Sequence, residues 1–372
     1  MFINGKNIAK LIEQQFPKHL AESWDNVGFL VGSPNARVEK VMMALELTAE
    51  VLEEAIEKNV DLIVAHHPLI FTPLKMVTDE TEVGRLIKSL IQHKIGLYVA
   101  HTNLDAGVGG TGDFLAEMLE LERCEPLQVT HTTEYVKLVV FVPITHTQLL
   151  TDAIAEAGGG QIGDYDHCHF FVEGTGSFRP LEGSTPYIGE VNQTAIVRED
   201  RLEMLIPKEL IKTVVIEMLK VHPYELPAYD VVPLANEIEH FGIGVVGYLP
   251  ESIELDDFVE EVKNVLDVEQ VKLVKSTQNI IRKVAVCPGA GAEYIEKAAA
   301  MGCDVFVTGD VKYHEAQIAK HLRLSVIDAG HYETESPYMA ELSRVLKEAC
   351  DHRDYEVKII SSEVNINPFE FC

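Results

Sequence analysis

Several absences bound this sequence before any motif does. Its six cysteines never form a C-x-x-C pair, so neither a disulfide framework nor a thiolate zinc cluster is indicated. No apolar run reaches the roughly 18–20 residues that span a bilayer. The opening Met1-Phe2-Ile3-Asn4-Gly5-Lys6 lacks the apolar core of a signal peptide. Basic residues are scarce: 31 Lys and Arg stand against 59 Asp and Glu, a formal charge of −28, with no Lys/Arg cluster. Such a chain repels phosphate backbones and anionic membranes, which sets aside duplex DNA and membrane surfaces as partners. A cytoplasmic location is expected. A small anionic substrate remains compatible where cations sit in its pocket.

What is present is a globular composition, 47% hydrophobic and 24% charged with a mean hydropathy near zero. At 372 residues the chain exceeds the size at which one core tends to split, so two or more domains are expected. In the first third, Val38–Leu45 reads as a strand and Ala49–Asn59 as a helix with Thr48 as N-cap. Asp61–Ala65 fits a buried strand, Thr81–His93 a helix and Ile95–Ala100 a strand. The last third repeats this grammar: strand Val284–Cys287, helix Ala292–Ala300, strand Asp304–Thr308, helix His314–His321, strand Leu324–Asp328 and helix Pro337–Ala349. Strands alternating with helices predict a layered α/β core formed by both chain ends.

Between them the style changes. Tyr135–Pro143 alternates, Thr147–Ala157 is helical, Cys168–Glu173 alternates, and a Gly/Pro-rich stretch covers Gly174–Gly189. Strand-like Gln193–Arg198 and Arg201–Ile206, helical Pro207–Val221 and extended Ala228–Pro233 follow. The order β-α-β-β-α-β is the ferredoxin-like plan. Residues 130–236 are therefore expected to be a domain inserted into a discontinuous core of residues 1–129 and 237–372.

Four clusters carry chemistry. His66-His67-Pro68 follows the strand Asp61–Ala65, where adjacent histidines on an irregular turn can address two neighbouring ions; the alternative is two unrelated surface histidines. His101-Thr102-Asn103-Leu104-Asp105 ends the next strand, and Asp105 supplies a hard carboxylate to a mixed N/O site. His101 is open to three roles: orienting Asp105, taken first, ligand, or buried core residue. In the third, Gly330-His331-Tyr332-Glu333-Thr334-Glu335, one helical turn aligns His331 with Glu335 as metal ligands or as an ion pair, and directs Glu333 elsewhere. The fourth is Thr308-Gly309-Asp310-Val311-Lys312-Tyr313-His314. There Lys312 would hold an anion and His314 would act as acid or base, unless Asp310 simply caps a helix. Trp24-Asp25-Asn26-Val27-Gly28 reads as a capping turn carrying the sole tryptophan.

Taken together and in order, Trp24-Asp25-Asn26-x-Gly28, His66-His67-Pro68, His101–Asp105, Thr308-Gly309-Asp310…His314 and Gly330-His331-x-x-x-Glu335 resemble the NIF-three-like family, also described as GTP cyclohydrolase I type 2 homologues. The middle, with Gly158-Gly159-Gly160-Gln161-Ile162-Gly163-Asp164-Tyr165 and His222-Pro223-Tyr224-Glu225-Leu226-Pro227-Ala228-Tyr229-Asp230, resembles the PII/CutA-like insertion of longer bacterial members, a module that tends to trimerise. Leu226 stands where relatives often carry a second Glu. The resemblance implies a two-metal site ligated by His66, His67, Asp105, His331 and Glu335, with Glu335 bridging. It also implies a hexameric ring with the sites facing an inner cavity. No guanine-reading constellation is visible.

The expected function is that of a dinuclear divalent-metal protein. Zinc is the first choice of metal, with iron or manganese as alternatives. One reading is a metal-dependent hydrolase acting on a nucleotide or other phosphorylated or cyclic small molecule through a water bridging the ions. His101 or His314 would then manage protons and Lys312 would hold the anion. The other reading is a non-catalytic metal-binding regulatory or scaffold protein whose insertion senses a ligand.

Overall fold

Leu62–Ala65 spells Leu-Ile-Val-Ala, and all four residues are buried. A strand with no solvent-facing side must be covered on both faces, which is the signature of a parallel sheet between helices. In the computed structural model, which describes residues 3–163, 165–235, 239–277 and 279–370, this strand is central in a five-stranded sheet. Met1 and Phe2, Asp164 of the Gly158–Tyr165 motif, and Asn236 and Glu237 at the expected domain boundary lie outside the described residues. No described helix is long and apolar enough to cross a membrane.

The chain forms two compact units, Met1–His131 with Phe241–Cys372, and Thr132–His240. In the first unit the five-stranded sheet runs Lys358–Ser361, Lys40–Ala44, Leu62–Ala65, Gly96–Val99, Gly28–Val31, parallel except for the last. Its pleat sorts side chains by period two. Val41, Met43, Leu62 and Val64 join the core under helices Gly5–Gln15 and Tyr338–Asp351. Met42, Ala44, Ile63 and Ala65 join the core under Ala49–Glu57 and Glu82–His93. Thr48 caps the third of these helices by accepting from the Val51 N–H at 3.3 Å.

A six-stranded sheet in the same unit runs Lys272–Val274, Ser325–Asp328, Val305–Thr308, Ile280–Val286, Glu239–Glu254, Glu122–Thr133. Its three middle members, Ile280–Val286, Val305–Thr308 and Ser325–Asp328, are mutually parallel. Each sheet carries the same side-chain bracket. Asp61 Oδ2 accepts from the N–H of Glu39 and Lys40 at 2.8 and 2.9 Å, and Asp304 Oδ2 from Arg282 and Lys283 at 2.8 and 2.9 Å. Lys40 then donates to the Lys58 carbonyl, as Lys283 does to that of Met301.

The second unit runs strand Tyr135–Pro143, helix Thr147–Glu156, strands His169–Phe178 and Ala195–Pro207, helix Ile211–Val221, strand Tyr229–Pro233. Its antiparallel sheet places the fourth strand beside the first, then the third, then the second. Two strands were expected over Gln193–Arg198 and Arg201–Ile206. One continuous strand is found, because Glu199 and Asp200 stay in register with Pro143 and Val142. Asp200 is buried there by the Thr147 hydroxyl at 2.6 Å. The first five residues of the Gly/Pro-rich stretch extend the second strand as far as Phe178.

Candidate metal centre

The carboxyl ends of the parallel strands in both sheets of the first unit supply the side chains, as expected where loops are presented over a rigid sheet edge. His66 and His67 continue beyond Leu62–Ala65 and stay hydrogen-bonded to the neighbouring strand, their N–H groups donating to Ala44 and Leu45 at 3.2 and 2.8 Å. The buried His66 ring donates from Nδ1 to the Ala100 carbonyl at 2.9 Å. That bond turns Nε2 inward with its lone pair free. Nε2 lies 3.6 Å from Asp105 Oδ1 and 3.8 Å from Glu335 Oε1, beyond hydrogen-bond reach. Among the described residues it is the one buried side-chain polar atom without a partner.

Glu335 is buried and central. Its Oε2 lies 3.0 Å from His67 Nε2 and 3.1 Å from His331 Nε2, and those two nitrogens are 3.4 Å apart. Burial opposes charge on this carboxyl, but the three histidines around it hold it well below the usual carboxylate range. Burial likewise opposes protonation of His67, yet Glu335 and Glu46 outweigh it and lift the ring to about 10. The Glu335 contact raises His331 to about 9. Gly289, at φ +66, makes the approach possible, since a Cβ there would stand 2.0 Å from Glu335 Oε1.

Two orienting carboxylates stand behind the rings. Asp25 accepts from His101 Nδ1 at 2.9 and 3.0 Å, and from the N–H and hydroxyl of Thr102 at 3.0 and 2.6 Å. Burial would raise Asp25; the His101 and Thr102 bonds overcome it and bring it to about 2. Asp310 Oδ2 lies 2.8 Å from His331 Nδ1, an arrangement that leaves each imidazole's Nε2 for the cluster. Asp105 accepts from the Thr111 hydroxyl at 2.5 Å. Candidate ligand atoms of His66, His67 and His101 fall within 4.8 Å of one another, as do those of His67, His331 and Glu335. These are two donor triads sharing His67.

The fold thus gathers His66, His67, His101, Asp105, His331 and Glu335. The capping turn expected at Asp25 is instead a buried anchor for His101, and its sequence signal was Asp-Asn beside the lone tryptophan, whose ring lies 6.2 Å from His101. His101, placed first behind Asp105, is anchored by Asp25 and stands in the triad with His66 and His67. Asp310 does not cap the following helix. It takes φ +55 and turns to His331, while Lys312 occupies the N-cap of Tyr313–His321.

Lys312, the expected anion contact, and His314, the expected acid or base, are both exposed; Lys312 is the N-cap of the helix whose first turn holds His314. Glu333 turns aside to accept from Asn367 Nδ2 at 2.7 Å. Two cavities flank the cluster. One, about 600 Å³, is lined by Trp24, His101, Asp105 and Glu335; the other, about 710 Å³, by Lys272, Tyr332 and Phe369. They share Glu46, His67 and His331.

The family model Duf34/NIF3 (NGG1p interacting factor 3) matches residues 3–368. A Bacillus subtilis protein called GTP cyclohydrolase 1 type 2 homolog is 43% identical over 369 residues, 99% of either chain. A Halalkalibacterium halodurans protein of the same name is 42% identical over 368 residues, again 99% of either chain. The crystal structure of a Bacillus cereus protein related to NIF3 is similar at TM-score 0.86, with 41% identity and 100% of both chains covered. Motifs, strand-end geometry and these likenesses agree, and the chain belongs to the DUF34/NIF3 family.

Proposed function

We propose that the cluster holds two divalent metal ions and that the protein is a metal-dependent hydrolase of a nucleotide or other phosphorylated or cyclic small molecule. The observation that carries the metal reading is His66 Nε2, buried and unpartnered between two carboxylates. An orphaned buried acceptor is costly, and a cation among these donors removes the cost. Imidazole and carboxylate donors suit zinc first, and iron or manganese next.

The proposed ligands are His66, His67, Asp105, His331 and Glu335. Glu335 would offer one oxygen to each ion, since its two oxygens lie toward different histidines. Bound cations supply Lewis acidity toward substrate oxygen and toward water. His101, which donates from Nδ1 to Asp25, is left with Nε2 to accept and return a proton, and the depressed Asp25 keeps the ring oriented. Lys272 replaces Lys312 as the anion contact, because it is the one Lys or Arg lining either flanking cavity among the described residues. It is held by Asp328 at 2.9 Å. Residues 130–236 form an inserted domain of ferredoxin-like, PII/CutA type, a reading supported by the strand order of the second unit. Assembly as a cytoplasmic homohexamer completes the proposal, tested by sedimentation.

The decisive experiment is anaerobic purification with metal analysis, then an activity screen over phosphoesters, nucleotides and cyclic amides. About two ions per chain and chelator-sensitive turnover support the hydrolase. Two ions with no turnover favour a non-catalytic regulatory protein whose insertion senses a ligand, a reading supported by a cavity in the second unit.

A further inference from the structure

The second unit carries a half-open cavity of about 410 Å³ that the metal chemistry does not use. Its walls include Phe141, Phe178, Tyr187 and Tyr224, with Glu199 and Glu225 as its charged groups; among the described residues no Lys, Arg or His lines it. The Phe178 and Tyr224 ring centroids are 5.8 Å apart at 59°, and those of Tyr187 and Tyr224 are 6.3 Å apart at 50°. Rings tilted by such angles do not stack. They form adjoining walls.

The walls are held in place. His222 fixes the turn before Tyr224: its Nε2 donates to the Phe141 carbonyl at 3.0 Å, and its Nδ1 accepts from the Tyr224 N–H at 3.1 Å. Tyr224 donates its hydroxyl to Glu199 Oε1 at 2.8 Å. Glu225 accepts from the Thr185 N–H at 3.2 Å, which ties the loop bearing Tyr187 to the loop bearing Tyr224. Gly176 leaves room for the other Glu199 oxygen, because a Cβ there would lie 2.0 Å from Oε2. The sequence motif His222-Pro223-Tyr224-Glu225 is thereby accounted for as a staple, a wall and a latch.

We propose that this cavity is a binding site for a small organic cation, an ammonium or methylated ammonium group seated among Phe178, Tyr187 and Tyr224 against the Glu199 carboxylate. Aromatic faces attract cations through their quadrupole, and more strongly when the cation is desolvated. A buried or half-buried carboxylate without a cationic side chain in its cavity supplies the counter-charge. Anions are disfavoured twice, by Glu199 and Glu225 and by a chain of formal charge −28, which also concentrates cations at its surface. The site stands on the second unit alone and is independent of the hydrolase reading.

The test uses the intact, metal-loaded protein and two probes of equal shape, choline and its uncharged isostere 3,3-dimethyl-1-butanol. Both carry the same hydroxyl, so any contact with the metal centre is common to the two. Calorimetry should show saturable choline binding at least about tenfold tighter than binding of the neutral probe. Glu199→Gln and Tyr187→Ala should each weaken choline about tenfold without changing metal content. Both positions are partly or fully exposed, which keeps the variants folded. Equal binding of the two probes would make the cavity merely apolar and overturn the proposal. So would the absence of saturable choline binding, or choline affinity unchanged in both variants.

Discussion

Asp61 and Asp304 hold equivalent brackets in the two sheets of the first unit, yet the loops at the carboxyl ends of the bracketed strands share little. In the five-stranded sheet those loops give His66, His67, His101 and Asp105; in the six-stranded sheet they give Asp310, His331 and Glu335. The bracketing aspartates also match in backbone terms. Asp61 N–H donates to Lys40 and its carbonyl accepts from Gly96, as Asp304 does with Lys283 and Ser325. A frame of backbone hydrogen bonds at one strand end is retained because each N–H needs an acceptor whatever the function. The other end is free to differ, since a loop side chain answers only to the site it builds. The repeated grammar of the two chain ends is thus a repeated scaffold that presents unlike donors, mostly nitrogen from one half and a buried carboxylate from the other.

The strongest way to break this comparison is Glu335→Ala. It removes the carboxylate that both halves approach, and metal analysis should show loss of at least one of two ions per chain. Full occupancy would mean that the halves bind metal separately. Gly289→Ala comes next. A Cβ at φ +66 and 2.0 Å from Glu335 Oε1 must displace that side chain, so metal content should fall and stability should drop by about 1–3 kcal/mol in urea titration.

Equivalence of the brackets predicts equal costs. Asp61→Ala and Asp304→Ala should each destabilise by about 1–3 kcal/mol, within about 0.5 kcal/mol of one another, and leave metal content unchanged. Unequal costs would make the likeness one of shape alone. A smaller effect separates the second unit from the first. Burial holds His222 below the ordinary histidine value, so the unfolded chain takes up a proton first as pH falls. Stability from this group is therefore intact above about pH 6.5 and declines as pH drops from there through the folded value. His222→Gln should flatten that slope; an unchanged slope would assign it to other groups. Last, Lys312→Ala and His314→Ala should alter neither metal content nor any turnover found in the screen. A loss of turnover with metals retained would restore them to the site.

The candidate His/Glu cluster was legible because each of its members sits beside a strong local signal. Apolar runs such as Asp61–Ala65 and Leu324–Asp328 announce buried strands, and the residues after them fall at a sheet edge whichever way the sheet is assembled. His66, His67, Asp105, His331 and Glu335 are brought within reach for that reason. Spacing alone does not place Lys312 and His314. They follow Asp310 closely in sequence, but a left-handed Asp310 and an N-cap at Lys312 turn the chain between them. The role of Asp25 is not legible locally, because its partner is 76 residues away and no local pattern distinguishes a capping aspartate from one aimed at a distant imidazole.

By itself, then, the sequence determined the alternation of buried strands and amphipathic helices, the change of style in the middle third, and the donor types at each strand end. These depend on side-chain periodicity and on residues adjacent in the chain. Tertiary structure alone decided which donors share an atom's reach. Lys358–Ser361 joins Lys40–Ala44 from the far end of the chain, and Gly289 admits Glu335 across a distance no pattern encodes. It also decided that Tyr224 and Glu225 of the second unit line an aromatic cavity. Contacts of that kind are set by packing between elements far apart in sequence, where burial and steric fit, not local propensity, choose the neighbour.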